Sequence, residues 1–546
     1  MSSPAAFNGH RRVPPPVNDP IRSYAPDTHE RAALKARLAA MAADTVDIPL
    51  VVGGKELRPG GLANVVMPHD HHHVLGTYHQ ASAQHVHDAI DSALAARREW
   101  AAWSFDDRAA VLLKAAELLA TTWRDTINAA TMLGQSKTVF QAEIDAACES
   151  VDFLRFNAYF GQELLAEQPM SDHTAWNQLE YRGLEGFVYA VTPFNFTSIA
   201  ANLPMAPALM GNVVVWKPAS SAMFSAHYLM QLFEAAGLPP GVVNFIAGDA
   251  RMISDVVLSH RELAGVHFTG STEVFNGMWN TIGANASHYR SYPRVVGETG
   301  GKDFIVAHPS ADPAALATAI VRGGYEFQGQ KCSAASRVYI PRSMWNDVRD
   351  RVVAMIDAIT MGDVRDFRNF MGAVIDARAF DKIKGYIDYA REHATIVAGG
   401  HCDASRGYFI SPTLIETADA DFRTLREEIF GPVLTAYVYD DPRWHETLAL
   451  VDRTSPYALT GAVFAQERQA IREAASALRY AAGNFYVNDK PTGAVVGMQP
   501  FGGARASGTN DKAGSKLNLL RWVSARTIKE NFNPPRDYRY PFMDAE

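Results

Sequence analysis

From Gly186 onward, short apolar runs alternate with helical segments, and this alternation constrains the fold more than any other feature of the chain. Residues 187–191, 213–216, 242–247 and 266–269 each read as a strand. Helical stretches separate them, and the one over 227–236 is stopped by Gly237, Pro239 and Pro240. Parallel neighbours need a crossover connection, usually a helix. The pattern therefore predicts βαβ units around a buried parallel sheet. A second series, with strands over 303–306, 338–340, 433–438 and 461–464, predicts a second α/β unit and a cleft between the two. Upstream, residues 1–26 hold six prolines and read as an extended arm. Residues 28–41, 83–130 and 138–165 read as mainly helical.

Composition narrows the class. The chain has 546 residues, 47% of them hydrophobic and 20% charged, enough for a large core in more than one folding unit. The net charge of −8 argues against a nucleic-acid surface. Three cysteines, Cys148, Cys332 and Cys402, form no CxxC pair, which fits a reducing compartment and neither a disulfide framework nor a zinc site. The start, MSSPAAFNGHRRVPPP, lacks the apolar core of a secretory signal. The apolar stretch 199–216 is broken by Asn202, Pro204, Pro207, Gly211 and Asn212, so no membrane span is expected. The expectation is a cytoplasmic protein. His69, His71, His72 and His73 follow Pro68 and are expected in a surface loop with no metal role.

Cys332 sits in QGQKCSAASR, between Lys331 and Ser333 rather than among apolar neighbours, a setting that can favour a thiolate. Upstream, VVGETGGKD places Glu298 between a β-rich run and two glycines. A thiol nucleophile with a carboxylate base suits covalent catalysis ending in hydrolysis. Alone, Cys332 reads more readily as a half-buried turn cysteine, and Glu298 could be a strand-end carboxylate paired with Lys302 or an arginine. Asn195, in TPFNFT after the 187–191 strand, could offer its amide to an oxyanion or cap the next helix. HFTGST, ending a strand and opening a helix, could hold a pyrophosphate on its N–H groups. No GxGxxG is present.

These motifs resemble the aldehyde dehydrogenase superfamily, from about Val17 to the C-terminus. The finer pattern, above all PFGGARASGTNDK and Thr299 after Glu298, is similar to the branch that oxidises L-glutamate γ-semialdehyde, the open form of Δ1-pyrroline-5-carboxylate. The resemblance implies a Rossmann-type NAD-binding domain (1–166 and 188–300), an α/β catalytic domain (301–505), and an oligomerisation hairpin with C-terminal tail (167–187 and 506–546). It implies Cys332 as nucleophile, Asn195 as oxyanion donor and Glu298 as the base for water. For NAD it implies Thr192, Pro193, Phe194, Lys217, Ser220, Gly270, Ser271, Glu298, Glu428 and Phe430. Ser220 stands where many NAD-specific members carry a glutamate, so some NADP tolerance is expected beside NAD. For the substrate it implies the backbone of Gly493 and Ala494 and the Ser333 hydroxyl on the α-carboxylate. Lys331 is counted among the substrate contacts. Phe196 and Phe501 would line the aliphatic stem, and Glu149 would face the ammonium. A homo-oligomer, a dimer or a multiple of dimers, is implied, as is a functional pairing with a proline dehydrogenase. The rival expectations are a dehydrogenase for another carboxylated semialdehyde and a non-catalytic protein on the same fold.

Overall fold

The structure, a computed structural model, describes residue 9 and residues 11–545; the remainder of the expected arm, residues 1–8 and 10, lies outside the described residues. Two seven-stranded sheets organise it. In the first, the strands Arg294–Glu298, Leu263–Thr269, Phe187–Thr192, Val214–Pro218 and Val243–Phe245 lie side by side and parallel. Their residues are almost all buried, as a sheet covered on both faces requires. Leu50–Val52 and Lys55–Leu57 extend this sheet antiparallel at one edge, an addition too short to read from sequence.

The second sheet runs Thr395–Ala398, Thr413–Thr417, Val433–Tyr439, Ala335–Pro341, Asp303–Ala307, Thr460–Phe464, Asn484–Val487, with every pair parallel except the first. Helices such as Pro313–Tyr325 and Arg342–Ala358 make the crossovers. Ala175–Arg182 leaves both sheets and pairs antiparallel with Ser524–Asn531 as a two-stranded ribbon.

Chain order in the first sheet sets the site. The chain lays down Phe187–Thr192, moves outward through Val214–Pro218 and Val243–Phe245, then returns to place Leu263–Thr269 on the other side of Phe187–Thr192. The connections diverge there, leaving a crevice beyond the strand C-termini, where open α/β sheets bind ligands. Thr192 and Thr269 end the two strands flanking it.

One expectation needs correction. The histidines do not lie in a loop. Asp70–His79 is a strand between Val46–Ile48 and Leu62–Met67, and His69, just before it, is only 2% exposed. Backbone contacts absorb the polar side chains: His71 Nε2 meets Ala404 O at 2.9 Å and His73 Nε2 meets Ala42 O at 2.8 Å. Burial holds the His69 imidazole down to about 4, against a partly opposing Asp363. Residues 138–165 are helical as expected, with a change of helix type inside the segment. The segment is α-helical over Val139–Ala142, π-helical over Glu143–Glu149 and α-helical over Ser150–Leu165. A π-bulge inside an α-helix often marks a functional position, and this one ends on Glu149.

Candidate active site

Cys332 lies in the loop between the short turn Glu326–Gly329 and the strand Ala335–Pro341. Phe327, Gln328 and Gly329 carry φ of 51°, 55° and 64°, an arrangement costly for the two non-glycine residues and therefore held from outside. Gln328 supplies the hold: its amide donates to Ser136 O at 3.1 Å and Ala373 O at 2.7 Å, and its oxygen accepts from Gly372 N at 3.0 Å. Gln330 Oε1 accepts from Ile375 N at 2.9 Å. Burial pushes the Cys332 thiol well above its usual value, and Asp303, Glu298 and Glu428 push it further. This overturns the thiolate-favouring reading of Lys331, whose ammonium is spent on Glu326 at 3.1 Å. The thiol is neutral at rest, so attack needs a proton acceptor. Cys148 is buried near Arg124, its thiol pushed up to about 12, and Cys402 lies on the short strand Cys402–Asp403.

Asn195 is 3% exposed and follows the Phe187–Thr192 strand. Its Nδ2 donates to Gln330 O at 3.1 Å, which sets the amide against the cysteine loop. It does not cap the following helix, Thr197–Leu209. Asp145 does that from the π-helical segment, accepting from Thr197 N at 3.0 Å and Ser198 N at 2.9 Å.

Glu298 ends the Arg294–Glu298 strand beside Thr269. Its Oε2 is buried with no hydrogen-bond partner. Burial raises this carboxyl well above its usual value, opposed by the Gly503 N–H and Lys512 and assisted by Asp511. The alternative pairing with Lys302 is not made; Lys302 Nζ is itself buried without a hydrogen bond, and burial brings it down to about 7. Close packing here requires the two glycines. A Cβ at Gly301 would stand 2.0 Å from the Cys332 carbonyl oxygen, and one at Gly300 2.6 Å from Glu428 Oε2.

The residues assigned to a dinucleotide collect along the crevice. The Trp216 indole donates to buried Thr192 at 3.0 Å, and half-buried Pro193 and Phe194 follow. Phe194 meets Phe430 edge-on at 5.8 Å, with Phe430 in the left-handed region at φ 62°. Lys217 is 6% exposed, donates only to Pro218 O at 3.3 Å, and is brought down to about 8 by burial. Ser220 is exposed at the start of the turn Ser220–Ala222. Gly270 N donates to Glu298 O at 3.2 Å, and Ser271 caps the 13-residue helix Thr272–Ala284. Glu428 accepts from Gly301 N at 2.9 Å. A buried lysine with no carboxylate bond among the described residues, a solvent-facing helix N-terminus and the Glu428 carboxylate held on Gly301 N suit a ribose–pyrophosphate–ribose ligand.

On the other side of the cysteine loop, Glu149 is half-buried and accepts from Ser198 Oγ at 2.9 Å; burial and Asp145 push it up to about 8. The Phe196 ring lies 4.1 Å from Lys137 Nζ. Ser333 shares a 2.8 Å hydrogen bond with Thr492, immediately before Gly493, which is exposed at φ 92°, and half-buried Ala494. Phe501 is half-buried and bridges to Ala513 through its backbone. The sequence reading passed over Lys137, Asp145, Thr492 and Lys512. Lys137 is fully buried, ion-paired to Asp145 at 2.6 Å and also 4.5 Å from the Phe327 ring. No local pattern marks such a lysine as interior. A larger cavity of about 760 Å³, lined by Arg97, Arg108, Arg182, Tyr292 and Arg294 near the ribbon, holds none of these groups, so chemistry rather than volume identifies the site.

Residues 59–528 match the model of the aldehyde dehydrogenase family. The chain is 51% identical over 536 residues to the mitochondrial Delta-1-pyrroline-5-carboxylate dehydrogenase of Dictyostelium discoideum, covering 97% of this chain and 96% of that one. It is 48% identical to the mitochondrial Bos taurus protein of the same name, covering 96% and 94%. It superposes on the crystal structure of the Mycobacterium tuberculosis Delta-pyrroline-5-carboxylate dehydrogenase bound with NAD at a TM-score of 0.96, with 52% identity over 99% of this chain and 100% of that one.

Proposed function

The chain belongs to the aldehyde dehydrogenase family, and on that footing we propose that it oxidises L-glutamate γ-semialdehyde, formed when Δ1-pyrroline-5-carboxylate opens in water, to L-glutamate, with NAD as hydride acceptor. One observation carries the reading. Along a chain that matches dehydrogenases of this substrate nearly end to end, Cys332, Asn195 and Glu298 gather about a single loop.

Cys332 Sγ attacks the aldehyde carbon, and as the carbon–sulfur bond forms its proton passes to a solvent water, since burial holds the thiol in its neutral form. The Asn195 amide, released from Gln330 O, donates to the oxyanion of the thiohemiacetal. Lys217, Ser271 and Glu428 would hold NAD, which would supply the acceptor for the hydride that leaves this carbon. The residual thioester is hydrolysed. Glu298 Oε2, without a hydrogen-bond partner among the described residues and ionised with the help of the Gly503 N–H and Lys512, takes a proton from water, hydroxide adds to the carbonyl, and Cys332 departs as the thiol on receiving that proton. Glutamate carries its carboxylate toward Gly493, Ala494 and Ser333, with the Phe196 and Phe501 rings along the stem. Its ammonium faces Glu149, since a charged group left unpaired in such a pocket is costly. Lys331, paired with Glu326, acts on the substrate only through the loop it anchors.

The domain division, a NAD domain (1–166 and 188–300), a catalytic domain (301–505) and an oligomerisation unit (167–187 and 506–546), belongs to this proposal, as do a dimer or multiple of dimers and pairing with a proline dehydrogenase that supplies the substrate. The ribbon of Ala175–Arg182 with Ser524–Asn531, exposed along much of its length, supports the oligomerisation unit. No helix among the described residues is long and apolar enough to cross a membrane, and placement in the cytoplasm is likewise proposed. Exposed Ser220 supports some use of NADP, because it brings no carboxylate against a 2′-phosphate.

The test is NADH formation from DL-pyrroline-5-carboxylate beside succinic semialdehyde and propanal, with Cys332→Ala as control. Preference for pyrroline-5-carboxylate, abolished in Cys332→Ala, is the expected result. Faster turnover of succinic semialdehyde would overturn the substrate assignment. No activity in folded protein that binds NAD would overturn the enzyme reading.

A further inference from the structure

The segment from Ala506 to Lys512 grips the strand that ends in Glu298. Gly508 bridges Glu298, Thr509 N donates to Gly297 O at 2.9 Å, and Thr509 Oγ1 accepts from Gly297 N at 3.0 Å. Thr299 completes the hold, its N–H on Ser507 O at 2.9 Å and its hydroxyl on Ala506 O at 2.7 Å. The backbone here is unusual: Asn510 and Lys512 have φ of 56° and 52°. Non-glycine residues persist in this region when their surroundings enforce it.

What enforces it at Lys512 is a three-point contact. Its Nζ donates to Gly483 O at 2.8 Å, Gly502 O at 3.0 Å and Asn484 Oδ1 at 3.3 Å. Asn484 in turn accepts from Gly502 N at 3.3 Å. The ammonium therefore fixes the Gly502–Gly503 backbone, whose Gly503 N–H favours the ionised Glu298 carboxylate. Glu298 Oε1 lies so close that a Cβ at Gly502 would stand 2.9 Å from it. The charged groups acting on Glu298 from this segment are Lys512 and Asp511, and Cys332 faces it from the nucleophile loop. Asp511 is paired with Arg521 at 3.3 Å, and Lys512 is the cation that favours the ionised Glu298 carboxylate.

We propose that Lys512 is a positioning residue for Glu298, holding the glycine pair that orients the carboxylate and supplying the charge that favours its ionised form, so that it governs thioester hydrolysis and not formation of the thioester. This rests on the function proposed above. Among the described residues no hydrogen bond of Lys512 reaches the Cys332 loop, so its removal acts on the first half-reaction only indirectly, through Glu298, and far less than on hydrolysis.

Wild type, Lys512→Met, Lys512→Gln and Lys512→Arg are compared by stopped-flow NADH formation and by the pH profile of steady-state turnover. In Lys512→Met and Lys512→Gln, first-turnover NADH formation stays near the wild-type rate while steady-state turnover falls roughly tenfold or more, a fraction of the 10²–10⁴ that a general base contributes. NADH then appears as a burst stoichiometric with active sites. Loss of an opposite charge near a carboxylate shifts its titration by one unit or more, so the acid limb of the profile moves up by about one pH unit in both neutral variants. Lys512→Arg keeps the limb in place, a rescue that a purely structural role would not give. If Lys512→Met does not fold, Lys512→Gln and Lys512→Arg decide the matter through the position of the limb. A wild type that forms no NADH from pyrroline-5-carboxylate would overturn the function itself. An active wild type with neutral variants of unshifted limb, or with first-turnover and steady-state rates falling together, would overturn this inference alone.

Discussion

Glu149→Gln isolates the recognition of the substrate's ammonium without removing volume. Glu149 is half-buried at the end of the π-helical segment, with Ser198 Oγ on one oxygen, and its carboxyl is pushed up to about 8 by burial and by Asp145. A hydrogen bond to a charged group contributes roughly 1.5–3 kcal/mol, or about 10- to 150-fold in kcat/KM at 1.4 kcal/mol per tenfold. Part of that gain is withheld below pH 8, because the free enzyme then carries Glu149 mostly protonated, and kcat/KM reports groups of the free enzyme. The ratio of wild type to Glu149→Gln is therefore expected near the lower bound at about pH 6.5 and to rise severalfold by about pH 8.5 as the carboxylate forms. The assay is initial-rate NADH formation with pyrroline-5-carboxylate, and with propanal and succinic semialdehyde, which carry no ammonium. Those two aldehydes should lose little and show no pH trend in the ratio. An equal loss for propanal, or a flat ratio for pyrroline-5-carboxylate across this range, would refute the assignment of Glu149 to the ammonium.

Asn195→Ala removes the side-chain oxyanion donor; kcat is expected to fall by about 2.7–4 kcal/mol, roughly 100- to 1000-fold, with NAD affinity unchanged by calorimetry. Lys217→Met trades cofactor affinity for stability. The lysine is brought down to about 8 by burial, so the unfolded chain binds the extra proton, and stability rises with pH between about 8 and 10.5. Below pH 8 the charged lysine costs the apo fold on the order of 3 kcal/mol, so Lys217→Met should raise the apo Tm at pH 7 and weaken NAD binding, both read by calorimetric melts with and without NAD.

The sequence by itself determined the architecture, because the signals for parallel strands and their crossovers are local. The run 187–191 is apolar since a sheet covered on both faces leaves it no solvent side, and Gly237 ends its helix through its own backbone freedom. The resemblance of their motifs to those of the family likewise marked Cys332, Glu298 and Asn195 as chemically loaded positions, though not their electrostatics. The neighbours of Cys332 in sequence suggested a favoured thiolate, whereas its neighbours in space, Asp303, Glu298 and Glu428, oppose one. Charge acts through distance in a medium of low polarity, and distance between residues far apart in the chain is written only in the fold. The same holds for His69, expected on the surface and buried against Ser136, and for Lys137, sealed between two aromatic rings and Asp145. It holds again for Lys512, whose hold on the Gly502–Gly503 backbone exists only after Asn484 and Gly483 arrive from the edge strand of the other sheet.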